Sequence, residues 1–142
     1  MSAEEVTDVL LRWATEGWRR PPDGPPFDFR AQLEEFYDWT SADVVLHDNA
    51  DPQRRIARSA AEYAAIWDTE LASLISLSNT VDGPPFVSVT GDLAYADVFF
   101  TSSFEFEPGR VDKAATRSSL LLRRTEGRWR IVREHGSALT PV

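Results

Sequence analysis

Two side chains of this 142-residue chain could move protons, and the first is Asp48. It ends the β-branched stretch 44–48, and alternation along a strand puts it on the same face as Leu46. A carboxyl group in the wall of an apolar pocket has a raised pKa, because burial disfavours its charged form, and it becomes a better base near neutral pH. The alternative is structural, since Asp48 also opens the turn 48–52 and could cap its backbone.

His135 is the second candidate acid or base, because imidazole titrates near pH ~6.5. Simple alternation along a last strand puts it on the face of Trp129 and Ile131, from where it could reach a pocket mouth. It could equally bond within the sheet or lie at a contact between subunits. His47 falls on the opposite strand face from Asp48, so we do not treat those two residues as a dyad.

Four aromatic side chains and one arginine are candidates for binding a ligand: Trp13, Tyr37, Tyr63, Trp67 and Arg117. The aromatic residues fall on the apolar faces of predicted helices, where they could line a cavity or simply pack in the core. Arg117 lies near the start of a predicted strand and, if it points inward, could bind a ligand carboxylate by a two-pronged contact. Otherwise it is an exposed arginine that pairs with one of the 23 acidic residues.

Periodicity and turn signals predict the elements that must position these residues. Apolar residues at helical spacing predict a first helix over 3–19, which the proline-rich segment 21–26 ends. A short second helix follows Asp28, and a third follows the capping-box pattern that runs from Ser59 to Glu62. Strands are predicted at 42–48, 77–82, 86–90, 94–106, 114–124 and 128–137.

This order of elements predicts an α+β layer fold. Three helices would pack on a strongly curved, mostly antiparallel sheet, which forms a cone with an internal pocket. The length fits one domain that spans 1–142. We expect a small apolar or aromatic molecule to bind in the mouth of the cone.

Composition excludes several classes of function. The chain has no cysteine, which rules out disulfides, thiolate zinc sites and cysteine nucleophiles. Its two histidines and its acidic residues show no metal-ligand spacing, and no glycine-rich phosphate loop is present, so we expect neither a metal nor a cofactor. A net charge of −8 argues against nucleic acid and against an anionic membrane surface as partners.

The N-terminal segment is acidic where a signal peptide needs basic residues. No apolar run approaches the ~20 residues of a membrane-spanning helix. We therefore expect a cytoplasmic protein.

Three segments carry a resemblance to a known family. The segment 121–137, LLRRTEGRWRIVREHGS, resembles the C-terminal hairpin of SnoaL-like proteins of the nuclear-transport-factor-2-like superfamily, in which a histidine often stands at the place of His135. It is also similar to the hairpin of the association domain of calmodulin-dependent kinase. The stretch 57–67 resembles the family's third helix, and 44–48 resembles the first strand of ketosteroid isomerases. The resemblance implies the cone fold.

At Asp48 the resemblance implies the general base of an isomerase. That enzyme also uses a tyrosine on the first helix and a protonated acid on a later strand. Here Trp13 stands at the first position and Ser118 or Ser119 at the second, which offer weaker donors to an oxyanion. The sequence therefore argues against standard ketosteroid isomerase activity.

Two functions remain open on the sequence alone. The first is a small-molecule-binding protein or cofactor-independent enzyme that isomerises, cyclises or dehydrates an apolar carbonyl or carboxylate compound. The second is a non-catalytic assembly or accessory domain. The family commonly dimerises through the outer sheet face, and the segments 99–100 and 120–122 put apolar residues on both faces, so we expect a homodimer.

Overall fold

The computed structural model describes residues 2–139 and contains the helices and strands in the predicted order. The helices are α1 (Ser2–Arg12), which continues as a π-helical segment (Trp13–Gly17), α2 (Phe29–Leu33), which ends in a 3-10 turn (Glu34–Phe36), and α3 (Ala60–Glu70). The strands are β1 (Val45–Asp48), β2 (Ser76–Val81), β3 (Phe86–Thr90), β4 (Leu93–Glu107), β5 (Arg110–Thr125) and β6 (Arg128–Ala138).

The six strands form one curved sheet in the order β1-β6-β5-β4-β2, and β3 pairs with β4 beside β2. All neighbours are antiparallel except β1 and β6, which run parallel. The helices pack on the inner face of this sheet. The predicted α+β class and the mostly antiparallel cone are therefore confirmed.

Strand β5, the second strand of the β4–β5 hairpin, begins four residues earlier than the sequence pattern predicts. Glu107 pairs with Arg110 across a two-residue turn, Pro108–Gly109. Gly109 has φ +83°, a conformation that glycine adopts without steric penalty. Pairing can therefore start directly after the turn, and β5 begins at Arg110 rather than near Ala114.

A β-bulge in β6 changes the alternation of that strand. Leu122 pairs with Ile131 and Leu121 pairs with Arg133, so Val132 is an extra residue without a partner of its own in the register. Beyond Val132 the side chains alternate one step out of phase with the simple pattern.

The bulge turns Glu134 and Gly136 towards the helices and His135 away from them. Both Glu134 and Gly136 are buried, whereas His135 is exposed, and its ring stacks on His47 with 4.2 Å between ring centroids. The expectation that His135 shares a face with Ile131 is therefore wrong. Alternation fails at this point because the bulge adds one residue.

One apolar cluster joins the helices to the inner face of the sheet. The side chains that it buries completely include Val6 and Leu10 of α1, Phe29 and Leu33 of α2, and Leu120 and Leu122 of β5. Ala94 and Ala96 of β4 are also buried in this cluster. No helix within residues 2–139 is long and apolar enough to cross a membrane.

Candidate functional site

A cavity of about 480 Å³ lies on the inner face of the sheet, between the π-helical segment, the end of α3, the loop after β1 and strands β2, β4, β5 and β6. Its volume falls within the ~300–1,000 Å³ of small-molecule sites. Most of its wall is apolar, and the aromatic part includes Trp13, Trp18, Trp67, Phe100 and Phe104.

A larger groove of about 660 Å³ lies at the surface, between the segment after α2 and the turn that joins β5 to β6. Its lining mixes acidic and basic side chains such as Glu34, Glu126 and Arg128. We place the site in the inner cavity because one buried and one half-buried carboxyl group meet an apolar wall there.

Glu134 of β6 is the first of these carboxyl groups and is 3% exposed. Tyr37 donates its hydroxyl to Oε1 at 2.5 Å, and Tyr63 donates to Oε2 at 2.6 Å. The indole N–H of Trp13 in turn donates to the Tyr37 hydroxyl at 3.0 Å. Both oxygens of the acid are thus held from the helical side of the fold.

Burial raises the pKa of Glu134 from 4.5 to about 7, because a charged carboxylate is poorly solvated there. The two tyrosine hydroxyls oppose this effect, since they stabilise the carboxylate, and the negative charge of Asp48 adds to the rise. Glu134 therefore changes its charge near neutral pH, where an acid–base group works best.

Asp48 is the second carboxyl group of the cavity. It ends β1 opposite Gly136 of β6, and the carboxylate lies directly against that glycine. A Cβ at position 136 would stand 2.0 Å from Oδ2, so only glycine leaves room for this acid. Its other oxygen accepts the backbone N–H of Ala50 at 2.8 Å. Asp48 thus both caps its turn and lines the cavity.

Burial also raises the pKa of Asp48, whereas the hydrogen bond from Ala50 lowers it by a smaller amount. The parallel pairing of β1 with β6 brings Asp48 and Glu134 into one cavity. Two acids in a shared apolar space do not both ionise easily. Glu134, whose pKa is about 7, can therefore exchange a proton with a bound molecule near neutral pH.

The structure brings some of the predicted ligand-binding residues together and separates others. Trp13 and Trp67 line the cavity, as does Ser118, which is 1% exposed. Tyr37 and Tyr63 do not line it, but they hold Glu134 from behind.

Arg117 lies on the outer face of the sheet. Its side chain is 47% exposed and pairs with Asp97 at 3.2 Å. Ser118, the next residue, faces the cavity, so strand alternation directs Arg117 outward. A contact between Arg117 and a ligand carboxylate in the cavity is therefore ruled out by its position. His135 is separated from the cavity in the same way, on the outer face beside His47.

Glu134 is the functional candidate that sequence reasoning missed. Simple alternation puts it on the outer face, and nothing local in the sequence marks the bulge at Val132. A signal was available in Tyr37 and Tyr63, because two phenols on the apolar faces of predicted helices need an acceptor for their hydroxyl groups once they are buried.

Several solved structures share this fold. A nuclear-transport-factor-2-like protein from Streptomyces avermitilis, named as a candidate dehydratase, aligns with a TM-score of 0.76 at 18% identity over 99% of this chain and 97% of its own. A superfamily member from Salmonella enterica serovar Typhimurium aligns with a TM-score of 0.75 at 17% identity over 99% and 92%.

A candidate calcium/calmodulin-dependent protein kinase II association domain from Xanthomonas campestris aligns with a TM-score of 0.62 at 17% identity, over 78% of this chain and 74% of its own. At these identities the likenesses establish the fold alone. No curated protein sequence matches the chain.

Residues 30–141 match the model of a family described as the SnoaL-like domain. The match covers α2 from its second residue, α3 and all six strands, so it includes both carboxyl groups of the cavity. The chain belongs to the SnoaL-like family.

Proposed function

We propose that the protein is a cofactor-independent acid–base catalyst, which moves a proton on an apolar carbonyl compound as isomerases, cyclases and dehydratases do. The observation that carries the proposal is the pair of acids, the buried Glu134 and the half-buried Asp48, in one aromatic cavity. The name of the Streptomyces avermitilis relative, a candidate dehydratase, points to the same class of chemistry.

The environments of the two acids assign their roles. Asp48 keeps a backbone N–H bond that favours its carboxylate form, so it is the base. Glu134 is more deeply buried, its pKa rises to about 7, and it is the proton donor. Pairs of acids whose environments separate their pKa values divide acid and base roles in this way.

In the first step Asp48 takes a proton from the carbon beside the carbonyl group. The electron pair of that C–H bond forms a carbon–carbon double bond, and the carbonyl oxygen receives the proton of Glu134. The carboxylate left on Glu134 is stabilised by the hydroxyl groups of Tyr37 and Tyr63. If the substrate carries a further carbon–carbon double bond in conjugation, protonated Asp48 returns its proton to the far carbon of the dienol; if it carries a β-hydroxyl group, Asp48 gives the proton to that group, which leaves as water. In both cases the enol O–H returns its proton to Glu134 as the C=O bond re-forms.

Hydrogen exchange on a simple ketone tests this step even though the natural substrate is not identified. In D₂O, the protein should speed the exchange of the hydrogens beside the carbonyl group of 2-tetralone, followed by proton NMR. General acid–base groups contribute roughly 10²–10⁴-fold, so Asp48→Asn and Glu134→Gln should each lose about that much of the rate above buffer. Asp97→Asn, which changes a carboxyl group on the outer face, is the matched control.

Exchange that stays at the wild-type rate in Asp48→Asn would refute the assignment of Asp48 as the base. Loss of exchange in Asp97→Asn to the same extent would show that the assay reports damage to the fold.

The second candidate function is a dimerising assembly domain, which the outer sheet face favours. Phe86 is 66% exposed there, and Tyr95 and Leu93 are 49% and 45% exposed. Adjacent exposed apolar side chains are typical of contact surfaces. We propose that a second copy of the chain covers these side chains, whether the protein is an acid–base catalyst or an assembly domain.

A further inference from the structure

The π-helical segment Trp13–Gly17 is an irregular turn at the end of α1. Segments of this kind are rare and often stand at functional sites. We propose that this segment makes Trp13 a positioning residue, whose indole N–H fixes the Tyr37 hydroxyl as a hydrogen-bond donor to Glu134. The inference rests on the proposed function, in which Glu134 is the proton donor.

Trp13 determines where the Tyr37 hydroxyl directs its hydrogen. The indole nitrogen lies 3.0 Å from the hydroxyl oxygen, and an indole N–H can only donate. The hydroxyl oxygen is therefore the acceptor of this bond, and its own hydrogen goes to Oε1 of Glu134, 2.5 Å away. All three side chains are at most 3% exposed, so bulk water does not compete for either bond.

This chain of two bonds favours the ionised form of Glu134. Hydrogen bonds in series polarise one another, so the bond from Trp13 makes the Tyr37 hydroxyl a better donor to a carboxylate. The same bond occupies the oxygen that would otherwise accept a hydrogen bond from protonated Glu134. Both effects oppose the rise in the pKa of Glu134 that burial causes.

Three titratable groups face Glu134, and only one of them is held by Trp13. Tyr37 and Tyr63 of α3 donate to its two oxygens and lower its pKa, whereas the charge of Asp48 on β1 raises it. Within residues 2–139 no side chain donates to the Tyr63 hydroxyl. Loss of the Trp13 N–H therefore alters the influence of Tyr37 and leaves the other two in place.

Side chains from two other elements hold the π-helical segment in its irregular form. Asn79 of β2 donates its Nδ2 to the carbonyl oxygen of Ala14 at 2.8 Å. Gln32 of α2 donates its Nε2 to the carbonyl oxygen of Gly17 at 3.0 Å. An irregular backbone persists where its surroundings determine it in this way. The orientation of Trp13 is thus built into the packing of the segment.

Gly17 lets the chain that carries Tyr37 come close to the same segment. A Cβ at this position would lie 2.5 Å from Cδ2 of Leu33 and 3.1 Å from Cε2 of Phe36. Because Phe36 directly precedes Tyr37, the missing side chain of Gly17 leaves the room in which the tyrosine reaches Trp13. One turn of π-helix therefore supplies both the donor and the space for its acceptor.

Trp13→Phe keeps an aromatic ring and removes the N–H. NMR of protein labelled with ¹³C in its glutamate carboxyl groups follows the ionisation of Glu134 directly, and Glu134→Gln identifies the signal. At pH 7 the ratio of ionised to protonated Glu134 should fall at least about twofold, which corresponds to the lower end of a net hydrogen-bond contribution. The decline of 2-tetralone exchange with rising pH should move to higher pH in this variant.

Trp18→Phe is the matched control, because Trp18 also lines the cavity but stacks on Phe27. It should leave the ratio unchanged. Tyr37→Phe tests whether Trp13 acts through Tyr37, since Trp13→Phe should add nothing to the effect of that substitution. A further variant carries 3-benzothienylalanine at position 13, which keeps the bicyclic ring and replaces the N–H by sulfur. It should match Trp13→Phe, and it replaces that variant if the smaller ring unfolds the protein.

An unchanged ratio in the variants at position 13 would overturn the proposal. An equal shift in Trp18→Phe, or a further shift on the Tyr37→Phe background, would do the same. If the ratio falls as expected but the wild type shows no exchange on 2-tetralone, the acid–base function is refuted while the role of Trp13 stands. If exchange occurs and the ratio is unchanged, the role of Trp13 is refuted while the function stands.

Discussion

Burial of Glu134 makes the stability of the fold depend on pH. The pKa of Glu134 is about 7 in the folded protein, whereas the ordinary value of 4.5 applies in the unfolded chain. Between pH 4.5 and pH 7 the folded chain therefore holds the proton more tightly than the unfolded chain. The stabilisation is complete below pH 4.5 and is lost as the pH rises through 7. At roughly 1.4 kcal/mol per pKa unit the loss amounts to a few kcal/mol.

Glu134→Gln keeps the shape of the side chain and removes this dependence. Urea unfolding at several pH values should therefore show that the free energy of unfolding of the wild type falls, relative to that of the variant, as the pH rises from 4.5 to 8. A difference that stays constant over this range would show that Glu134 ionises without cost in the folded protein.

Gly136 is required because Asp48 occupies the space of its missing side chain. In Gly136→Ala the new methyl group would meet Oδ2 of Asp48 at 2.0 Å, so the carboxylate must move. We expect a loss of about 1–3 kcal/mol in unfolding free energy and slower hydrogen exchange on 2-tetralone. Ser137→Ala, at the neighbouring outward position, is the control and should change the free energy of unfolding and the exchange rate much less. Equal effects of the two substitutions would contradict this account.

At the residue scale the sequence indicates part of the cavity. Helical spacing singled out Trp13 and Trp67, and strand alternation put Asp48 on an inner face, where the structure places all three. Arg117 could not be oriented from spacing alone, because its face depends on the pairing of β5. Glu134 was missed because an extra residue at Val132, which only the pairing with β5 shows, reverses the alternation.

At the scale of elements, α3 positions both Tyr63 and Trp67, and its N-terminus depends on Ser59. The Ser59 hydroxyl accepts the backbone N–H of Glu62 at 3.0 Å, and the Glu62 carboxylate accepts the backbone N–H of Arg58 at 2.6 Å. Ser59→Ala should cost about 1 kcal/mol of unfolding free energy, whereas Ser59→Asp should retain most of it. Chemical denaturation measures both, and an unchanged free energy of unfolding in Ser59→Ala would show that the cap contributes nothing.

The order and type of the elements could be predicted because each has a local cause. Periodicity and capping patterns mark the helices, and turn residues separate the strands. The parallel pairing of β1 with β6 has no such local signal, since it joins segments far apart in the chain. The order of elements and the family resemblance both predict the cone, whereas the pairing of β1 with β6 is seen only in the structure.

At the scale of the whole molecule, the outer sheet face predicts the oligomeric state. Light scattering after size-exclusion chromatography should give the wild type twice the mass of the 16.0 kDa chain. Tyr95→Glu, which puts a charge in the exposed apolar patch, should shift the protein towards the monomer. Gln53→Glu adds the same charge on an exposed loop and should leave the mass unchanged; a monomeric wild type would exclude the dimer.

The parallel pairing of β1 with β6 also concerns how the site arises during folding. Asp48 and Glu134 meet only when a strand early in the chain joins the last strand in chain order. Contacts between such distant segments raise the contact order and form slowly, because a long loop must close first. No local hairpin carries the pair of acids. A refolding chain that has formed its helices and the β4–β5 hairpin therefore still lacks the pair of acids, which comes together only when β1 joins β6 and the cone closes.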